Sequence, residues 1–382
     1  MRKIGCIILV LLLLSGLLPM GAYAAETDVS GKSVLLMDAA TGTVLFEKNA
    51  HEKLAPASVT KVMTMLLIME AIDSGKIGWD DLVTASETAA AKGGSQIYLK
   101  AGETMSVTDM LKSIAVSSAN DAACAMAEHI AGSETAFVAM MNSRAAELGM
   151  NDTHFVNCTG LDDDPEAEKH LTSAYDIALM SRQLLTAHPD IKKFTTIWMD
   201  TVRNGTFGLS NTNKLVRFYQ GCTGLKTGFT AKAGFCLSAS AQRDGMELIA
   251  VVMGADNSQE RFLACKQMLD YGFANYALVE PELPEKSSVK VKLGTRDSVL
   301  AVPAEIPRLL IDKAQRNSVT TQITLERGLT APISQGQKLG VLTIRCGEQV
   351  LAEVPMVAAT AVPRLSWWKI FTNVLRRITM AI

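Results

Sequence analysis

The chain has 382 residues, 48% of them hydrophobic, with five histidines and a formal net charge of -2. That length and apolar content suffice for a large core and predict two domains. The balanced charge, without a basic cluster in mid-chain, excludes nucleic acid as a partner, and the lack of H-E-x-x-H or C-x-x-C spacing leaves no case for a metal or a cofactor.

In chain order, Met1-Arg2-Lys3 precedes an apolar run from Ile4 to Leu18 and then Ala22-Tyr23-Ala24. A positive start, an apolar middle and an A-x-A end predict a secretory signal over residues 1–24, cleaved after Ala24. Cys6 would leave with it. Export permits disulfides. The irregular spacing and apolar settings of Cys124, Cys158, Cys222, Cys236, Cys265 and Cys346 predict buried free thiols instead.

Residues 33–37 and 43–47 flank Asp38 to Gly42 as a β-hairpin. Ser58 follows Pro56 and opens an apolar run to Ile72 that reads as a helix buried on every side, stopped at Asp73-Ser74-Gly75. Ser58 would then sit in the first helical turn, where free N–H groups and the dipole favour developing negative charge. Lys61 lies three residues on, over the same face. A lysine buried there is neutralised by desolvation, and a neutral amine beside a hydroxyl is a general base for it.

Ser106 to Asp109 forms a capping start for a helix ending near Val116. A second helix runs from Asp121 to Ile130, which places Ser118 and Asn120 on the connection, where polar side chains can face a cleft. Residues 224–230, 235–240 and 246–252 read as successive strands, with Arg243-Asp244-Gly245 as a hairpin turn. Lys226 and Thr227 are then strand residues, and Gly228 admits a close ligand backbone.

After the break at Pro281 to Pro284, short alternating runs such as Ser288 to Leu293 and Gln337 to Arg345 predict a small all-β module. The small residues Val357 to Val362 and then Pro363 read as the start of a detached tail. From Leu365 a helix would put Lys369, Thr372, Asn373, Arg376 and Arg377 on one stripe, with Trp367, Trp368, Ile370, Phe371, Val374, Leu375 and Ile378 around the rest. It is too short and too charged to span a bilayer, and suits a membrane interface.

Ser58-x-x-Lys61, Ser118-x-Asn120 and Lys226-Thr227-Gly228, in this order, resemble the signature of penicillin-binding proteins and serine β-lactamases. Behind an export signal and ahead of a β-rich domain, the chain is similar to the low-molecular-mass D-alanyl-D-alanine carboxypeptidases, the class C penicillin-binding proteins. The resemblance implies an α/β (α+β) catalytic domain of the β-lactamase/transpeptidase type over 25–278, with an antiparallel sheet and a helical subdomain. A β-rich domain over 279–360 and an amphipathic anchoring helix over 361–382 would follow.

It further implies that Ser58 is acylated, Lys61 takes its proton, and Ser118 relays a proton to the leaving D-alanine. Asn120 would hold the substrate's amide backbone. Lys226 would supply positive charge, Thr227 would hydrogen-bond the terminal carboxylate, Gly228 would admit the substrate backbone, and Ser58 and Phe229 N–H groups would form the oxyanion hole. The cation that meets the carboxylate stays open: the stretch corresponding to the arginine that relatives carry upstream of K-T-G is Asn211 to Lys214, with Arg217 a little later, and Arg261, near the end of the catalytic domain, is a further candidate. The implied partners are the peptidoglycan stem peptide, β-lactams as covalent inhibitors, and the membrane surface on the outer face of the cytoplasmic membrane. A β-lactamase would need a deacylating glutamate; Glu166 and Glu168 lie in an acidic segment without the E-x-x-L-N pattern. The same three motifs also suit an endopeptidase that cuts cross-linked wall, or a wall-binding protein that has lost activity.

Overall fold

The computed structural model describes residues 29–163, 165–283 and 287–372. The expected signal over 1–24, with Cys6, and the tail helix beyond Thr372 lie outside the described residues. A five-stranded antiparallel sheet forms the centre, built from β1 (Ser33–Asp38), β2 (Val44–Lys48), β3 (Cys222–Thr230), β4 (Gly234–Arg243) and β5 (Met246–Ala255). The spatial order is β2-β1-β5-β4-β3, so β3 is an edge strand. Its register with β4 sets Lys226 opposite Ser238 and Gly228 opposite Cys236.

All ten residues of β5 are buried, which requires cover on both faces of the sheet. The two-residue period of a strand divides them. Ile249, Val251 and Met253 join the core of the helical subdomain, while Leu248, Ala250 and Val252 join the core under the last helix of the domain. Strand β1 divides likewise, with Leu35 and Met37 on one side and Val34 and Leu36 on the other.

The helical side holds α1 (Lys61–Asp73), α2 (Val107–Ser117), α3 (Asn120–Ala131), α4 (Glu134–Glu147) and α5 (Ala174–Ala187); α6 (Ser258–Asn275) covers the opposite face. Side chains at Ser106, Ser133, Ser173 and Asn257 cap α2, α4, α5 and α6 by accepting N–H groups of the first turn. The apolar run expected after Ser58 is indeed buried nearly all round, from Val62 to Met69. Its start differs: Ala57–Thr60 is a 3-10 turn, and the α-helix begins only at Lys61.

A two-stranded ladder of Tyr276–Val279 with Leu309–Asp312 joins the domains. Beyond it, six strands form the C-terminal sheet around Val291, Leu342, Ile344 and Met356. The stretch expected to open a detached tail is docked: Gln349–Ala358 is a strand, Val362 is fully buried, and Ile333–Val362 and Gly294–Arg364 form bridges. Alternating small residues fit a pleated face, so Val357 to Val362 complete the β domain. Helix starts only at 367, not 361, and runs through 372, the last described residue. Trp367, Trp368 and Phe371 are exposed there, their rings packed on one another.

Candidate active site

The 3-10 turn that carries Ser58 is tightly braced. Ala57 adopts φ 47°, a left-handed value that a residue with a Cβ holds only under constraint. Its carbonyl accepts the Thr60 hydroxyl at 2.8 Å, and Thr60 Oγ1 lies 2.8 Å from His170 Nε2. Burial, then His154 and Lys61, lowers the His170 pKa to about 4, so the ring is neutral. His170 Nδ1 accepts the Val156 N–H, which leaves the proton on Nε2 to donate to Thr60. Gly160 completes the brace, since a Cβ there would fall 1.8 Å from the Ala57 oxygen.

Lys61 is fully buried one turn on. Its Nζ lies 2.9 Å from Ser58 Oγ and donates to the Thr159 carbonyl at 2.7 Å. Asn157 fixes that carbonyl's loop by accepting the Thr159 and Gly160 N–H groups. Burial lowers the Lys61 pKa to about 7, against the opposing pull of Cys158 and Asp121. A large share of the amine is therefore unprotonated at neutral pH, as a base for Ser58 must be.

Ser118 caps the C-terminus of α2 with φ 66°, and Asn120 opens α3 after the single residue Ala119. The left-handed turn lets two helices meet with both polar residues at their junction. Asn120 donates through Nδ2 to the Gly93 carbonyl at 2.7 Å, while its Oδ1 is buried and has no partner. An orphaned buried acceptor is costly unless a ligand N–H completes it. Asp121 accepts the N–H groups of Ile97 and Leu99 and so shapes the segment beside Asn120.

Strand β3 forms the facing wall. A Cβ on Gly228 would stand 2.6 Å from the Pro56 oxygen and 3.1 Å from the Ser58 nitrogen, so only glycine lets strand and turn touch. Lys226 is 1% exposed and donates to the Thr227 carbonyl at 2.9 Å. Burial, then Lys61 and Arg261, drives its pKa well below the usual lysine value. Among the described residues neither Lys61 nor Lys226 has a carboxylate within ion-pair distance, so an anionic ligand in the cleft would meet two uncompensated amines and favour their protonated form. Thr227 donates to Thr212 Oγ1 at 2.7 Å, and the Thr212 N–H donates to Val116 near the end of α2. That bridge ties the strand wall to the helical wall. Phe229 is exposed and packs its ring on Phe235, with centroids 4.3 Å apart.

Arg261 lies on α6. Its Nη1 donates to the Gly228 carbonyl at 2.8 Å and to Cys236 at 3.2 Å, with the guanidinium over Phe235 and Phe262. It braces β3 against β4, and that hydrogen-bonding end is engaged by backbone. Arg217 is exposed on the short helical turn Leu215–Phe218. Asn211 and Asn213 are buried braces around Thr212, with Asn213 donating to the Gly224 carbonyl at 3.0 Å. Glu166 and Glu168 lie on an exposed turn, Glu166 held by Lys169 at 2.6 Å. The six cysteines within the described residues are all free, and five are buried.

Thr60, Asp121, Asn157 and His170 were not distinguished by sequence pattern, and Thr212 only as part of the Asn211 to Lys214 stretch. Only Thr60 and Asp121 carry a local signal, since each adjoins a motif residue.

Residues 20–257 match the D-alanyl-D-alanine carboxypeptidase family, and residues 282–364 match the C-terminal domain of penicillin-binding protein 5. The D-alanyl-D-alanine carboxypeptidase DacF of Bacillus subtilis is 45% identical over 344 residues, covering 88% of this chain and 87% of that one. Penicillin-binding protein 5 of Haemophilus influenzae superposes with a TM-score of 0.75 at 30% identity, covering 88% of this chain and 98% of that one. Penicillin-binding protein D2 of Listeria monocytogenes, in its ampicillin-bound form, matches with a TM-score of 0.57 at 31% identity over 65% of this chain and 99% of that one. Fold, paired walls and sequence agree: the chain belongs to the D-alanyl-D-alanine carboxypeptidase family.

Proposed function

We propose that this serine-type D-Ala-D-Ala carboxypeptidase trims the terminal D-alanine from peptidoglycan stem peptides through an acyl-enzyme on Ser58. The observation that carries the assignment is the buried Lys61 amine, 2.9 Å from Ser58 Oγ, with its pKa lowered to about 7. Lys61 takes the hydroxyl proton as Oγ attacks the carbonyl carbon of the penultimate D-alanine. The developing oxyanion is met by the Ser58 and Phe229 N–H groups, a role supported by the close approach of Gly228 to the Ser58 nitrogen. Ser118 passes a proton to the leaving amine, and water then releases the shortened peptide.

The terminal carboxylate meets the Lys226 amine, whose protonated form it favours, and the Thr227 hydroxyl. The outer edge of β3, without a strand beside it among the described residues, can pair with an extended peptide backbone, and Asn120 Oδ1 can accept a substrate N–H. A β-lactam presents the same carbonyl and carboxylate and acylates the same serine. D-Alanine release from diacetyl-Lys-D-Ala-D-Ala, with a long-lived penicillin adduct, is the expected result. Rapid turnover of penicillin would instead mark a β-lactamase.

The N-terminal pattern supports export, and the exposed Trp367, Trp368 and Phe371 support a peripheral hold on the outer face of the cytoplasmic membrane. Deleting residues 365–382 is expected to leave turnover of the soluble peptide unchanged and to move the protein from the membrane to the soluble fraction on cell fractionation. Membrane retention of the truncated protein would refute the anchor.

A further inference from the structure

The Ala57 carbonyl and the Ser58 N–H are the two ends of one peptide group. That group is trans and planar, so its ends point to opposite sides and cannot turn independently. At the carbonyl end Thr60 Oγ1 donates at 2.8 Å, and a Cβ on Gly160 would stand 1.8 Å from the oxygen. At the other end lies the strand wall, where a Cβ on Gly228 would stand 3.1 Å from the Ser58 nitrogen. Whatever fixes the carbonyl therefore aims the N–H.

The carbonyl ends a series of hydrogen bonds. The Val156 N–H donates to His170 Nδ1 at 3.1 Å, His170 Nε2 donates to Thr60 Oγ1 at 2.8 Å, and Thr60 donates to Ala57. Thr60 and His170 are both buried. Away from water, hydrogen bonds in series polarise one another, and a polarised carbonyl makes the N–H of its own peptide group a stronger donor. The segment after His170 also grips the serine turn from its other end: Leu54 and Thr172 exchange backbone bonds at 2.8 and 2.9 Å. Phe155 meets the imidazole edge to face, with centroids 5.6 Å apart. His170 is thus held against Thr60.

We propose that His170 and Thr60 are positioning residues for the oxyanion hole: through the Ala57 carbonyl they aim and polarise the Ser58 N–H. This role, which rests on the acyl-enzyme reading above, needs no contact with substrate. A neutral imidazole suits it, since a charged ring would stand against Lys61. The carbonyl oxygen turns negative twice, once as Ser58 attacks and once as water attacks the acyl-enzyme. Loss of the relay therefore slows acylation and deacylation alike and spares ground-state binding.

The test uses Thr60→Val, Thr60→Ser, His170→Phe and the double variant Thr60→Val/His170→Phe in the full-length protein. The readouts are penicillin acylation and deacylation rates, kcat and KM on diacetyl-Lys-D-Ala-D-Ala, and inhibition by a peptide boronic acid, whose tetrahedral adduct on Ser58 places an oxygen in the oxyanion hole. Thr60→Val and His170→Phe are each expected to lower kcat and both penicillin rates by about 10- to 100-fold, the scale for a small misplacement of a catalytic group. KM should stay within about twofold, as for an interaction made only in the transition state. Boronic acid affinity should fall with kcat, and Thr60→Ser should restore it. In the double variant His170→Phe should add little, because the two residues act in series. Parent-like rates and boronic acid affinity in the folded single variants, a defect confined to KM, or full additivity in the double variant would overturn the relay. Circular dichroism checks folding; if Thr60→Val does not fold, Thr60→Ala takes its place in every comparison. Failure of the acyl-enzyme reading looks different: the parent protein itself forms no adduct on Ser58.

Discussion

Ser58→Ala is expected to carry no penicillin adduct and to release D-alanine at least about 10,000-fold more slowly than the parent protein, the scale expected when a nucleophile working as a unit with its base is removed. The fold should survive. The turn holding residue 58 is braced by the Thr60 hydroxyl on Ala57 and by His170, and neither contact uses the Ser58 side chain. Intact-mass analysis after penicillin treatment, with circular dichroism as the control for folding, checks both halves. An adduct that persists in Ser58→Ala would place the nucleophile elsewhere.

Lys61→Met is expected to do two opposite things. Activity should fall by at least about 1,000-fold, because among the described residues Lys61 is the titratable side chain hydrogen-bonded to Ser58 Oγ. Stability at pH 7 should rise by about 2 kcal/mol. The unfolded lysine titrates at 10.5 and the folded one at about 7, so between these values the unfolded chain binds the extra proton. Stability therefore climbs with pH across that window, and at or below its lower end the buried amine costs on the order of 5 kcal/mol. Methionine removes that cost but leaves the Thr159 carbonyl without its donor, a loss of about 1–3 kcal/mol. Urea titrations at pH 7 and pH 10 should show the gain shrinking at the higher pH. In the parent protein, acylation should speed up as pH rises through about 7, where Lys61 deprotonates. A destabilised Lys61→Met, or an acylation rate flat through that range, would refute a strained, neutralised lysine.

The three motifs were legible because each sits within a few residues, and local pattern placed them on a helix start, a helix junction and a strand. The supports were not legible, because they come from far along the chain. Lys61 reaches Thr159 across 98 positions, and Thr60 reaches His170 across 110. Thr212 looks like any loop threonine until the fold brings it against Thr227. The 3-10 start at Ser58 was hidden for a different reason: an apolar run signals burial but not where helical hydrogen bonding begins. Small residues misled at Val357 to Val362, where composition suggested a linker and β-pairing made a core face. Arg261 shows the same limit, since it stands 33 positions beyond Gly228 and only the fold brings it against that strand.

The division of β1 and β5 between two apolar layers has a thermodynamic consequence. Neither layer of the catalytic domain can melt without stripping one face of strands the other also needs, so the two unfold as one cooperative block. Among the described residues the C-terminal core meets them through one short strand only. Its link is the ladder at Leu309–Asp312, where Leu309 turns to the β core and Leu310 to the layer under α6. Heat therefore meets two units in one chain, and an inhibitor bound covalently at Ser58 protects only the first.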